Sequence, residues 1–135
     1  MRFIDTNVLV YAMDPADARK QRIARELLKQ SAAKRDGAVS IQVLTEFSNV
    51  MLNKFHRPAD VVGATVSTFA EDLIFIEPLV RHLTRALEIH AFCQISIWDA
   101  LVVAAAEAGG CDTILSEDFN DGQRYCGILA RNPFA

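Results

Sequence analysis

Four short apolar runs, each passing directly into a polar residue, constrain this chain more than any other feature. Phe3-Ile4 runs into Asp5, Ala38-Val39 into Ser40, Leu73-Ile74-Phe75-Ile76 into Glu77-Pro78, and Thr113-Ile114-Leu115 into Ser116. Runs this short and this continuously apolar read as strands buried on both faces, because a half-exposed strand would alternate. The segments between them carry apolar residues at helical spacing. Strands alternating with helices predict an α/β chain with a parallel sheet covered on both sides.

Apolar spacing and capping residues predict the helices between the strands. Residues 7–13 form a short helix with Thr6 or Asn7 near its start. A second runs over 15–34, opened by Asp14-Pro15 as cap and first helical residue with Asp17 in an acidic first turn. Its inner side is Ile23, Ala24, Leu27, Leu28 and Ser31. Its outer side is Arg19, Lys20, Arg22, Arg25 and Lys29, ordinarily a solvated face. From Ile41 a stripe of Leu44, Phe47, Met51 and Phe55 marks a third helix, with Glu46 beside the stripe rather than opposite it. Further helices are expected over 59–72 (Val62, Val66, Phe69 and Leu73 inward), 79–92 (Leu83, Leu87 and Ala91 inward) and from Ser96 to the Gly109-Gly110 stop. The tail from Tyr125 to Phe134 is expected to add an edge strand.

With 135 residues, 51% of them hydrophobic, the chain fits one domain, 1–135, with a substantial core. The longest apolar run, Ala100 to Ala106, falls far short of the roughly 20 residues a bilayer needs. Asp5 and Asp14 interrupt anything resembling a secretory signal, so a cytoplasmic protein is expected. Cys93, Cys111 and Cys126 are read as reduced, mostly buried thiols, and His56, His82 and His90 as surface or packing residues. A net charge of -3 excludes nucleic-acid binding by overall charge alone; a metal ion or a local basic face would have to assist.

Taken singly, the acids have ordinary explanations. Asp5 can cap the helix after it, Asp99 can complete a capping box with Ser96, Asp118 can do the same after Ser116, and Glu46 can pair with a cation. Taken together they point elsewhere, because Asp5 and Asp118 follow strands that share one carboxyl edge, and Asp99 and Glu46 lie on helices packing beside those strands. Two carboxylates about 4 Å apart repel by roughly 4 kcal/mol at an effective dielectric near 20. A divalent cation offsets that repulsion, and oxygen-only ligands favour Mg²⁺ or Mn²⁺ over zinc. Such a centre suits phosphodiester hydrolysis.

Asp5-Thr6-Asn7, Thr45-Glu46-Phe47, Trp98-Asp99-Ala100, Leu115-Ser116-Glu117-Asp118-Phe119 and Arg131-Asn132-Pro133-Phe134, in this order, resemble a PIN-domain ribonuclease. More narrowly, they resemble a VapC-type toxin of a toxin–antitoxin pair. The resemblance implies a three-layer α/β/α sandwich, a Mg²⁺- or Mn²⁺-dependent endoribonuclease, a homodimer and a cognate antitoxin. It implies that Asp5, Glu46, Asp99 and Asp118 are the acidic metal site. Asp5 and Asp99 would ligate directly, Asp118 directly or through water, and Glu46 would hold a second metal or orient the attacking water. Thr6, Asn7 and Ser116 would support it, and Asp121 falls where some relatives place a further acid. Glu117 is expected to point away. Arg19, Lys20, Arg22, Lys54 and Arg57 are candidates for guiding RNA, whereas Trp98, in an apolar helix, is expected to pack in the core.

Alternative readings are a housekeeping PIN nuclease in RNA processing and a PIN-like module that only binds RNA or protein. A phosphotransferase of the haloacid dehalogenase type would need an acid where Asn7 stands. A response-regulator receiver would need a late lysine, and none follows Lys54.

Overall fold

The computed structural model of the chain describes residues 1–135. Six strands form one sheet: β1 (Arg2–Ile4), β2 (Gly37–Ser40), β3 (Ile74–Ile76), β4 (Thr113–Leu115), β5 (Arg124–Tyr125) and β6 (Ile128–Arg131). Their spatial order is β3-β2-β1-β4-β6-β5, parallel throughout except for the β5–β6 hairpin. Six helices connect them: α1 (Thr6–Met13), α2 (Ala18–Lys34), α3 (Ile41–Asn53), α4 (Ala59–Asp72), α5 (Val80–Cys93) and α6 (Ile97–Ala108). The expected α/β/α arrangement with a mostly parallel sheet is therefore what forms.

From β1 the chain moves outward to β2 and β3 through α1 to α4. It then returns through α5 and α6 to β4, on the other side of β1. Parallel crossovers are right-handed, so the reversal places α1 to α4 on one face and α5 and α6 on the other. The boundary between β1 and β4 is then the switch point, where open α/β sheets form a crevice beyond the carboxyl ends of their strands. Ile4 pairs in register with Leu115, so Asp5 and Ser116 emerge there side by side. With helices on both faces, Phe3, Ile4, Val39 and Ile114 are wholly buried, which is why these strands read as continuous apolar runs.

Several local expectations shift. Asp17, not Asp14, caps α2, accepting the Lys20 N–H at 3.0 Å, while Asp14 accepts the Ala16 N–H in the turn before it. Strand β2 starts one residue early at Gly37, opposite Arg2, where a Cβ would lie 2.7 Å from Ser31 Cβ. The tail forms two strands rather than an edge strand alone: β6 is internal beside β4, and the short β5 takes the edge.

Two corrections concern packing. On α5 the buried residues are Ala86 and Ile89; Leu83 and Leu87 are 46% and 51% exposed, and Ala91 is exposed as well. The helix is apolar around much of its girth, and the row led by the small Ala86 permits the close approach that turns the leucines outward. Trp98 is 64% exposed rather than in the core, because it occupies the first turn of α6, ahead of the residues that pack inward; burial begins at Ala100. No single helix is long and apolar enough to cross a membrane; α5 and α6 reach that length and composition only as a pair bent by 118°.

Candidate active site

Asp5 and Asp99 are delivered at helix starts, Glu46 from within a helix and Asp118 by the chain leaving a strand. Asp5 leaves β1 in extended backbone and caps α1, its Oδ1 accepting the Thr6 N–H at 2.8 Å. Ser40 caps α3 by accepting the Val43 N–H, and Glu46 follows about two turns into that helix. Ser96 caps α6 by accepting the Asp99 N–H at 3.1 Å, which places Asp99 in the first turn. Half of the ordinary capping explanation for Asp99 is thus realised, but the reciprocal bond from its carboxylate to the Ser96 N–H is not made. Asp118 follows β4 by way of Ser116 and Glu117.

Ser116 Oγ joins the first and last acids. It donates to Asp5 Oδ2 at 2.7 Å and accepts from Asn7 Nδ2 at 3.1 Å and from the Asp118 N–H at 3.0 Å. Asn7 also donates to Asp118 Oδ2 at 3.2 Å, and its own Oδ1 accepts the Glu117 N–H. Thr6 Oγ1 lies 3.2 Å from Glu46 Oε2, and Gln42 Nε2 donates to Glu46 Oε1 at 3.1 Å. The structure therefore gathers the expected Thr6, Asn7 and Ser116 into one network with Asp5, Glu46 and Asp118. It does not gather Asp121, whose Oδ1 accepts the Asn132 N–H at 2.9 Å and ties the last turn.

The electrostatics mark these acids as one group. Asp5 is 6% exposed, and its pKa is raised to about 6, chiefly by burial and further by the charges of Asp118 and Glu46, against the lowering effect of the Ser116 and Thr6 bonds. Asp99 is raised as well, first by burial and then by Asp118 and Glu46, with Ser96 opposing. Every ion pair in the molecule lies elsewhere, so none of the four carboxylates has a cation within 4.0 Å.

In kind, the donors fit a hard divalent cation: they are all carboxylate oxygens, without histidine or cysteine. No three of them close on one point at metal-ligand spacing. Neutral donors hold Glu46 and Asp118 where they are, a spread-out arrangement in keeping with the repulsion among like charges.

A groove of about 650 Å³ runs along the site, with Thr6, Asn7, Glu46, Glu117 and Asp118 in its lining. Glu117 does not point away. Its carboxylate turns to the rim, where Oε1 accepts from Tyr11 Oη at 2.6 Å and Oε2 from Lys20 Nζ at 3.0 Å. Lys20 also sits 4.5 Å from the centroid of the Tyr11 ring. Neither Tyr11 nor this pairing was legible in the chain, since Tyr11 lies in a mostly apolar helix and its partner is more than 100 residues away. Lys54 lines the same groove. Arg57 lies apart, in a smaller cavity of about 200 Å³ lined by Arg25 and Phe47, and Arg19 and Arg22 line another beside α2.

A family model described as the PIN domain matches residues 2–124. No curated protein sequence gives a match. Among solved structures, the chain is similar to VapC20 of Mycobacterium tuberculosis, described as a sarcin–ricin loop cleaving toxin (TM-score 0.66, 20% identity, covering 87% of this chain and 92% of that one). It is also similar to VapBC2 from Rickettsia felis bound to a DNA fragment from its promoter (TM-score 0.71, 18% identity, 97% of each chain). A toxin–antitoxin complex from Klebsiella pneumoniae has a TM-score of 0.73 at 18% identity and 98% coverage of each chain. At these identities the likeness is one of fold.

Proposed function

The chain belongs to the PIN domain family, and from that premise we propose that it is a divalent-metal-dependent endoribonuclease acting as the toxin of a cytoplasmic toxin–antitoxin pair. The observation that carries this reading is the coupling of Asp5, Glu46, Asp99 and Asp118 at one sheet edge, with no cation set against any of them. Asp5, Asp99 and Asp118 are the proposed ligands of Mg²⁺ or Mn²⁺, with Glu46 ligating a second ion or orienting water. When bound, such an ion supplies a lowered pKa for the attacking water and charge stabilisation at the phosphate.

The chain's own residues hold that arrangement. Ser116 and Thr6 fix the two oxygens of Asp5, and Asn7 orients Asp118. Thr6 and Gln42 orient Glu46. Lys20 and Lys54, on the lining or rim of the groove, are placed to meet phosphates of the RNA backbone.

The Mycobacterium tuberculosis neighbour, described as a sarcin–ricin loop cleaving toxin, supports a cleaving activity, and the Klebsiella pneumoniae complex supports an antitoxin partner. Self-association into a homodimer is supported by the apolar side chains left uncovered on and beside α5: Leu79, Val80, Leu83, Leu87 and Phe92.

Brief expression of the chain in a bacterial host tests the toxin reading. Growth arrest with new RNA 5′ ends at a restricted set of sites is the expected result, both suppressed by co-expression of an antitoxin where an adjacent reading frame encodes one. An unchanged population of RNA ends would remove the reading.

A further inference from the structure

We propose that the groove between α2 and the C-terminal tail is a phosphate track that carries the RNA strand beyond the acid centre, with Arg19 and Arg22 as its contacts. The inference rests on the ribonuclease reading of that centre. The groove has a volume of about 540 Å³, and its lining includes Arg2, Arg19, Arg22, Glu26, Gln30 and Pro133.

Its charges are not equally committed. Arg2 donates to Ser31 Oγ at 3.0 Å and stands 3.5 Å from Asp36 Oδ1. Glu26 Oε1 accepts from Gln30 Nε2 at 3.1 Å. Arg19 and Arg22 are exposed and have no carboxylate within 4.0 Å. Three residues apart on α2, they share one face of the helix and present two free guanidinium forks to the groove. A guanidinium fork matches the paired oxygens of a phosphate.

The groove is separate from the acid groove but neighbours it across one packed contact. Pro133 lines it, and the next residue, Phe134, packs edge-on against Tyr11 at 4.9 Å between ring centroids, while Tyr11 lines the acid groove. Arg19 is followed by Lys20, which pairs with Glu117 at the acid groove's rim. A strand leaving the acids therefore crosses Lys20 and meets Arg19 and then Arg22.

The alternative occupant, an acidic protein segment, is disfavoured by the lining. Apart from Pro133 its apolar residues are only Ile23 and Leu27, and Leu27 is buried, so the apolar anchors that seat a peptide are lacking. The chain's net charge of -3 means that a polyanion must be drawn by a local surface such as this one.

The test is binding of a labelled single-stranded RNA of about twelve nucleotides to the full chain in excess chelator, at roughly 50 and 200 mM salt. The double variant R19A/R22A is expected to weaken binding about tenfold. It should also lower the slope of log affinity against log salt by about 1.4, or roughly 0.7 for each lost contact. Arg81→Ala, on α5 across the sheet, should leave both values in place. Equal binding by R19A/R22A and the unaltered chain overturns the proposal, as do equal losses in R19A/R22A and Arg81→Ala. Displacement of a poly-glutamate peptide but not RNA by the arginine substitutions also overturns it, in favour of a protein partner. Cleavage of the same RNA is read separately after Mg²⁺ is added. Binding that depends on the arginines without any cleavage supports the track and removes the nuclease reading; cleavage indifferent to the arginines does the reverse.

Discussion

Ser116 Oγ lies 2.7 Å from Asp5 Oδ2, joining residues 111 positions apart at the ends of adjacent parallel strands. The same oxygen accepts from Asn7 and from the Asp118 N–H, so one buried hydroxyl fixes the spacing between two acids of the proposed centre.

Replacing Ser116 with Ala removes the only proton donated to Asp5 Oδ2, leaves the Asp118 N–H without its acceptor and leaves Asn7 Nδ2 with Asp118 alone. A hydrogen bond to a charged group contributes about 1.5–3 kcal/mol, and a loss of roughly that size is expected in denaturant unfolding. Because this bond lowers the Asp5 pKa, its loss raises that pKa further and moves the acid limb of the pH–activity profile to higher pH. An unmoved acid limb would separate Asp5 from the chemistry.

The sign of the Asp5 contribution to stability follows from its raised pKa. The folded state holds the proton more tightly than the unfolded chain, so this contribution is fully present below about pH 3.8 and is lost as pH rises through about 6. A shift of this size corresponds to about 3 kcal/mol, borne by the ionised form above pH 6. In chelator, the unaltered chain should therefore lose more stability than Asp5→Asn between about pH 4 and pH 7, and Mn²⁺ should restore part of it. Parallel stability curves for the two proteins would contradict the assignment.

Leu83 and Leu87 are about half exposed on α5 and add little to the core, so L83E/L87E should keep the circular dichroism spectrum and melting temperature of the parent. It should also abolish the self-association proposed for this face. Sedimentation velocity decides: a dimeric parent and a monomeric variant are expected, whereas a dimer in both would place the interface elsewhere.

What was legible in the sequence follows the range of the interactions. Asp5, Asp99 and Asp118 announce themselves locally, as residues just past apolar runs or at a helix start, and parallel strands bring such positions to one edge without further information. The choice between Leu83-Leu87 and Ala86-Ile89 as the buried face of α5 depends on how closely α6 approaches, which no local spacing encodes. Glu117 looked like a bystander because its partners, Lys20 and Tyr11, are 97 and 106 residues away. Trp98 sits in the first turn of an apolar helix, ahead of where burial begins, so composition pointed inward while position left it outside.

The proposed chemistry is the cutting of RNA by four carboxylates that use a divalent ion. Its most direct test is the cleavage rate of a defined RNA as Mn²⁺ is titrated, for the unaltered chain and for Asp99→Asn. Asp99 carries a pKa raised mainly by burial, so neutralising it should leave folding intact or slightly firmer. Saturable, Mn²⁺-dependent cleavage by the unaltered chain is predicted, with a loss of about 100-fold or more in the folded variant, comparable to removing a directly stabilising group. Full cleavage in excess chelator, or an Asp99→Asn protein that cuts at the parent rate, would contradict it.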